Sequence, residues 1–226
     1  MSRLLDVRRI GRTDYAECWQ LQKELVESRA EGRIEDALIL TEHDPVVTVG
    51  RGTPEEDYPA VEHPVLEIER GGEATYHGPG QLVAYPILRL EEGRRDLHQY
   101  LRDLEEVVIG VLSEFDLDAT RVPGLTGVWI EGKKIASIGI AVRRWVTYHG
   151  LALNLHNAPE TFDGFKPCGL DSGIMTRLAD HADLPPTNLL GEVLLVKHFC
   201  RVFDRELPPP VTPTVDENGF PPLPIL

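Results

Sequence analysis

Cysteine, methionine and basic side chains are scarce in this sequence, and long apolar runs are missing. Only three cysteines, Cys18, Cys168 and Cys200, occur in 226 residues. Their number is odd and none forms a Cys-x-x-Cys pair, which argues against a disulfide framework or paired-cysteine metal spacing. No stretch reaches the roughly 18 apolar residues that a membrane helix requires. The opening residues are too charged for a secretory leader, so a cytoplasmic protein is expected. Lys and Arg total 23 against 37 Asp and Glu, a formal net charge of −14. Such a deficit of cations speaks against nucleic acid, whose phosphates need a basic surface, and against an acidic membrane. Local basic pairs do occur, at Arg8-Arg9, Arg94-Arg95 and Arg143-Arg144.

What is present fits an ordinary globular chain, 42% hydrophobic and 27% charged. Its length suffices for one sizeable core. A single domain over residues 1–207 is expected, followed by a proline-rich tail, 208–226, in which proline excludes regular helix. Asp14 to Gly32 reads as an amphipathic helix with a capping-box-like start at Asp14 and Glu17; Tyr15, Cys18, Trp19, Leu25 and Val26 form its apolar face. Strands are expected at Ala37–Thr41, Val46–Val49, Val65–Glu69 and Gln81–Leu88, the last broken by Pro86. Asp96–Phe115 keeps a 3.6-residue apolar period and is the clearest helix. Gly127–Ile130 and Lys134–Val142 form a hairpin about Glu131-Gly132, with Trp145–Leu155 as a third strand. A last helix, capped by Thr187 or Asn188, runs to about Phe203. These hairpin-like connections predict an α/β (α+β) fold, a mixed and mostly antiparallel sheet with flanking helices.

Four places carry candidate chemistry. Cys168 lies between Pro167 and Gly169, neighbours that exclude a helix interior; it is either a small buried hydrophobe or a nucleophile paired with a distant residue. Cys18 and Cys200 fall on apolar helix faces and read as core. The stretch Arg70 to Gln81 is dense in glycine yet keeps Arg70, Thr75, Tyr76 and His77, so it is either a ligand-binding loop or a long turn; neither nucleotide-binding glycine spacing is present. Strand alternation places Lys134, Ala136, Ile138 and Ile140 on one face and Lys133, Ile135, Ser137 and Gly139 on the other. Lys134 either snorkels outward or is held for use. His149 reads either as a satisfied core histidine or as a site residue.

Taken together, Arg70–Pro86, Gly132–Gly139, His149–Leu155 and Pro167–Leu170, preceded by Glu42–Arg51, closely resemble the octanoyltransferase family of lipoate biosynthesis. The resemblance covers roughly Thr41 to Thr176. It implies the fold of biotin and lipoate protein ligase catalytic domains. It also implies transfer of an octanoyl (or lipoyl) group from acyl carrier protein to a lysine of a lipoyl domain, through a cysteine acyl-thioester. On the matching positions, Cys168 is the nucleophile and Lys134 its partner. The substrate-contacting stretches become Arg70, Gly71, Gly72, Glu73, Ala74, Thr75, Tyr76 and His77; Ser137, Ile138 and Gly139; and Gly150, Leu151 and Ala152. His149 is a candidate orienting residue. Ile135, Ile138, Ile140, Leu151 and Leu153 are candidates for lining an acyl channel.

The resemblance further implies a monomer with no metal and no dissociable cofactor, the acyl group arriving on the phosphopantetheine of acyl carrier protein. The acceptors it implies are lipoyl domains of 2-oxoacid dehydrogenase complexes and the glycine-cleavage H protein. The chemistry is coherent: a thiol of pKa about 8.5 is mostly protonated at neutral pH, and a nearby ammonium favours the thiolate. Once the sulfur is acylated, the same lysine can serve as general base for the incoming amine. An acidic carrier meeting an acidic enzyme calls for a local basic patch, for which Arg143-Arg144 is the candidate. Three rivals stay open: an ATP-dependent lipoate or biotin protein ligase of the same fold, a non-catalytic carrier-binding module, and a cysteine hydrolase using His77 or His149.

Overall fold

The structure, a computed structural model, describes residues 3–182 and 187–209, with the backbone alone at Pro159 and Cys168. Of the proline-rich tail expected over 208–226, residues 210–226 lie outside the described residues. In chain order the elements are β1 (Leu5–Thr13), α1 (Tyr15–Ala30), β2 (Asp36–His43), β3 (Val46–Val49), β4 (Val65–Glu67), β5 (Thr75–His77), β6 (Gln81–Ile87), α2 (Leu97–Ser113), β7 (Ala119–Thr120), β8 (Val128–Ile130), β9 (Lys133–Arg143), β10 (Val146–Asn154) and α3 (Asn188–Phe203). Seven strands form one sheet in the order β1-β2-β6-β10-β9-β8-β7, and β4-β3-β5 form a smaller one. In the large sheet only β1 and β2 run parallel, and in the small sheet only β3 and β4 do, so the sheets are mixed and mostly antiparallel.

Local sequence accounts for most boundaries. Asp14 accepts hydrogen bonds from the amides of Ala16 and Glu17, Asp96 from those of His98 and Gln99, and Thr187 from that of Leu190, so each helix begins on a side-chain cap. Glu31, a residue with helical φ, closes α1 ahead of Gly32 at φ +73. Glu131 and Gly132 both take positive φ and turn β8 into β9, the geometry a two-residue hairpin needs.

The helices divide between the two faces of the large sheet. On one face Leu104, Val108 and Leu112 of α2 and Phe199 of α3 pack on Leu40, Leu82 and Leu153. Each such buried side chain contributes about 1.5–3 kcal/mol. On the other face α1 places Tyr15, Leu25 and Val26 on Ile39, Val83 and Tyr85. The small sheet closes over a third cluster that includes Val47, Tyr76 and Phe162.

Three features depart from the sequence reading. β1 was not expected, because Arg8, Arg9 and Arg12 interrupt its apolar pattern; it is an edge strand with alternating exposure. β5 falls within the stretch read as loop or turn. Pro86 does not break β6, which pairs with β2 as far as Ala37↔Ile87. Proline has no N–H to give, and pairing with β10 instead ends at Ala84↔Leu151. Side chains close the gap: the Thr147 hydroxyl donates to the Pro86 carbonyl (2.8 Å) and accepts from the Leu88 amide (3.0 Å). Beside this interruption His149 takes φ +55.

Candidate active site

Where β9 and β10 face each other, Gly139 pairs with Gly150, and the sheet surface carries no side chain. A β-carbon at Gly150 would lie 2.2 Å from the Ala84 carbonyl oxygen, and one at Gly139 would lie 2.9 Å from that of Gly71. The segment Arg70–His77 crosses this bare patch and is fastened by the Gly71 amide on the Ile140 carbonyl (2.9 Å). Between them opens a narrow cleft whose cavity measures about 30 Å³.

Arg70, Gly72, Glu73, Thr75 and His77 line the cleft from that segment, Ser137, Ile138 and Gly139 from β9, and Gly150, Leu151 and Ala152 from β10. Three separate stretches of the sequence reading therefore meet in one place. Gly71, Ala74 and Tyr76 do not line it; strand alternation turns Ala74 and Tyr76 into the third core cluster. Of the acyl-channel candidates, Ile138 and Leu151 reach the cleft, whereas Ile135 and Leu153 are fully buried in the core under α2 and α3 and Ile140 packs against it.

Lys134 requires a correction. Strict alternation separates it from Ser137, but the β8–β9 register steps from Trp129↔Lys134 to Val128↔Ala136. Ile135 is thus an extra residue, a β-bulge, and the alternation reverses across it. Lys134 consequently shares the Ser137 face. Its side chain is 2% exposed, with Nζ 5.2 Å from the centre of the Trp129 ring. No carboxylate pairs with it among the described residues. It does not line the cleft itself.

Cys168 belongs to a single 3-10 turn, Pro167–Gly169, and its side chain lies outside the described residues. The turn abuts the cleft: Gly169, at φ +72, leaves room for the Glu73 carboxylate, which a β-carbon there would strike. From this turn the chain runs on to the Thr176 amide, which donates to the Lys134 carbonyl (2.9 Å). The other two thiols are unsuited to attack. Burial pushes Cys18 up to about 12 and raises the half-buried Cys200 as well.

One end of the cleft is aromatic and polar. Tyr15, Tyr85 and His149 line it, and His43 stands behind, its Nε2 2.8 Å from the Tyr85 hydroxyl. The Tyr15 hydroxyl lies 3.4 Å from His149 Nδ1. Burial holds His43 and His149 down at about 4, and burial with the neighbouring His43 holds His77 well below the usual range. Burial raises both tyrosines. At neutral pH these imidazoles are uncharged; Glu69 and Arg70 act on His149 with opposite sign, and Arg70 donates to the Thr48 carbonyl and hydroxyl (both 3.0 Å). His149 Nε2 and Thr75 Oγ1 are buried without a hydrogen-bond partner among the described residues.

Tyr15, Tyr85 and His43 are absent from the sequence-predicted set. Tyr15 read as apolar helix face, and only the register of β6 and β2 brings the other two alongside it. Arg143 and Arg144 stand at the β9–β10 turn, exposed, and share Glu27 as ion-pair partner (2.9 and 3.3 Å). Among the described residues, no three His, Cys, Asp or Glu side chains converge as metal ligands, and no helix is long and apolar enough to cross a membrane.

Residues 14–199 match the model of the lipoyl protein ligase A/B catalytic domain. The chain is 50% identical over 176 residues to an octanoyltransferase of Rubrobacter xylanophilus, covering 74% of this chain and 79% of the relative. It is 45% identical over 204 residues to an octanoyltransferase of Geobacter metallireducens, with 89% and 95% covered. Among solved structures, the bipartite lipoate protein ligase of Thermoplasma acidophilum superposes with a TM-score of 0.67 at 18% identity, over 90% of this chain and 86% of that one. Biotin protein ligase from Aquifex aeolicus gives 0.56 at 12% identity, over 89% and 70%. At these identities the structures show the fold alone.

Proposed function

Since the chain belongs to the lipoyl protein ligase A/B catalytic domain family, and within it to the octanoyltransferases of lipoate biosynthesis, we propose that it takes octanoyl from acyl carrier protein, holds it as a thioester on Cys168, and passes it to a lysine of a lipoyl domain. In the first half-reaction the Cys168 sulfur attacks the donor carbonyl and the phosphopantetheine thiolate leaves, exchanging one thioester for another. Lys134 provides the cation that favours the attacking thiolate, then gives its proton to the departing phosphopantetheine sulfur and is left as the neutral amine. In the second half the acceptor amine attacks the acyl carbonyl, the amide forms, and the Cys168 thiolate departs. Lys134 takes the proton that the amine must lose.

The observation that carries this reading is the single cleft on which three distant stretches converge, with the Pro167–Gly169 turn against its Glu73 wall. Two paired glycines with Ile138, Leu151 and Ala152 offer an alkyl chain apolar contact. The acceptors on this reading are lipoyl domains of 2-oxoacid dehydrogenase complexes or the glycine-cleavage H protein, and the enzyme works in the cytoplasm as a monomer without a dissociable cofactor.

Intact-mass measurement tests it. With octanoyl-carrier protein and no ATP, the wild-type chain gains one octanoyl group and loses it when lipoyl domain is added. Cys168→Ala gains none. Octanoylation of the domain by Cys168→Ala at the wild-type rate, or a strict need for ATP, would overturn the proposal.

A further inference from the structure

Glu105 lies in the middle of α2 and is completely buried. A carboxylate in that position is expensive unless every lone pair is used. Its Oε2 accepts from Arg102 (2.7 Å) and Arg121 (2.9 Å), two guanidiniums that reach in from the surface. These satisfy its charge. Its Oε1 is turned the other way and accepts from the backbone amide of Gly127 (3.1 Å), across the gap between α2 and the start of β8.

Gly127 is no neutral anchor. It sits at φ +134, a conformation open to glycine, and its α-carbon faces the stem of Lys134. A β-carbon there would lie 2.7 Å from Lys134 Cε, 3.4 Å from Nζ and 2.5 Å from the Ala136 carbonyl oxygen. Two residues on, the Trp129 ring lies beneath the same Nζ, 5.2 Å from its centre. The last methylene and the amine of Lys134 therefore rest in a slot made by Gly127 and Trp129. The amide of Gly127 is tied to the helix by one carboxylate oxygen.

We propose that Glu105 is a positioning residue for Lys134: through the Gly127 amide it fixes the slot that aims the amine. This rests on the role proposed above for Lys134 and adds to it the part of the scaffold that sets its aim. The chain of contact is Arg102 and Arg121 to Glu105, Glu105 to Gly127, and Gly127 to Lys134. Only the last two links bear on the amine. The arginines hold the carboxylate in orientation but do not touch the slot. A misplacement of about 1 Å in a reacting group can cost on the order of a hundredfold in rate.

Three variants separate positioning from plain stability, with steady-state octanoyl transfer and thermal unfolding measured on each full-length protein. Glu105→Met removes the link to Gly127 at similar side-chain length. Glu105→Asp draws the carboxylate back from the Gly127 amide by one methylene while keeping its charge for the arginines, and covers the case in which Glu105→Met does not fold. Arg121→Ala weakens the ion-pair network but leaves the Glu105–Gly127 bond. The proposal expects kcat to fall about tenfold to a hundredfold in Glu105→Met and Glu105→Asp with KM for the acyl donor unchanged, and kcat to be retained in Arg121→Ala. Full kcat in folded Glu105→Met or Glu105→Asp overturns it, and so does an equal loss of kcat in Arg121→Ala. A Lys134→Ala control distinguishes the failures: full activity there would overturn the role of Lys134 itself, whereas an inactive Lys134→Ala beside active Glu105→Met and Glu105→Asp would overturn only the positioning link.

Discussion

The backbone amide of His149 donates to Oε1 of Gln22, 2.8 Å away and 127 positions earlier in the chain. A glutamine side chain of α1 thus gives the His149 amide an acceptor beyond the point where β10 stops pairing with β6. It also holds His149 at φ +55, where a non-glycine residue is uncommon. Gln22→Leu keeps the volume and removes the acceptor. It should destabilise the fold by about 1–3 kcal/mol, the cost of a buried donor left unpaired. Urea unfolding reads this directly; an unchanged midpoint would show that the amide finds another partner.

Acid should weaken this protein through its buried histidines. His43 and His149 are held at about 4 by burial, and His77 lies well below the ordinary value. Above pH about 6.5 these side chains are neutral in both folded and unfolded chains, and stability is complete. Below that value the unfolded chain takes up protons that the folded one refuses. Stability therefore falls as pH drops from about 6.5 towards about 4. The loss approaches roughly 3 kcal/mol for His43 and for His149. Melting temperatures across this range should fall steeply in wild type and less steeply in His43→Asn. Parallel curves for the two proteins would refute the assignment.

Alkylation should discriminate among the thiols. Cys18 is buried and its thiol is pushed up to about 12, so in native protein at pH 8 it should resist iodoacetamide, because thiolate is the reactive form. Peptide mapping after partial inactivation should place the label that tracks lost activity on Cys168. Loss of activity tracking label on Cys18 or Cys200 would contradict the proposed chemistry.

Gly169 offers a test of how closely the Pro167–Gly169 turn must fit the cleft wall. Gly169→Ala brings a β-carbon into the Glu73 carboxylate and into an unfavourable φ of +72. The backbone part costs about 1–2 kcal/mol. The contact part is relieved by shortening Glu73. Transfer activity should therefore fall in Gly169→Ala and recover in part in the Gly169→Ala/Glu73→Ala double variant. Strict additivity of the two defects would mean that the residues do not press on each other.

Arg143 and Arg144 share one carboxylate, Glu27, which leaves net positive charge at the β9–β10 turn. Reversing both to Glu should raise KM for a carrier-bound donor more than for a short thioester. Equal effects on the two donors would remove this turn from carrier recognition.

The parts legible from sequence were those decided within a few residues. Asp14, Asp96 and Thr187 mark helix starts because a short acceptor side chain at that spot satisfies nearby amides. Glu131-Gly132 marks a hairpin because the turn needs positive φ. The parts that eluded it depend on partners far along the chain. Pro86 looked like a break because the bridge beside it comes from Thr147, far along the chain. Tyr15 looked like core because the histidines around it arrive on other strands. Lys134 and Ser137 looked opposed because a bulge is a property of two strands and cannot be counted on one. The stretches about Arg70, Ser137 and Gly150 were found through their resemblance as a set, and the pairing of β9 with β10 explains why they meet.

That extra residue at Ile135 makes the aim of an amine a matter of arithmetic as well as chemistry. Removing Ile135 would restore regular pairing and leave Lys134 opposite Trp129, still on the Ser137 side of the sheet. What the deletion would take away is the local bend and added twist that a bulge gives its strand. The side chain would keep its side and change its tilt, so the spare residue sets the angle at which the lysine leaves the ribbon, a property that no count of contacts on either face would reveal.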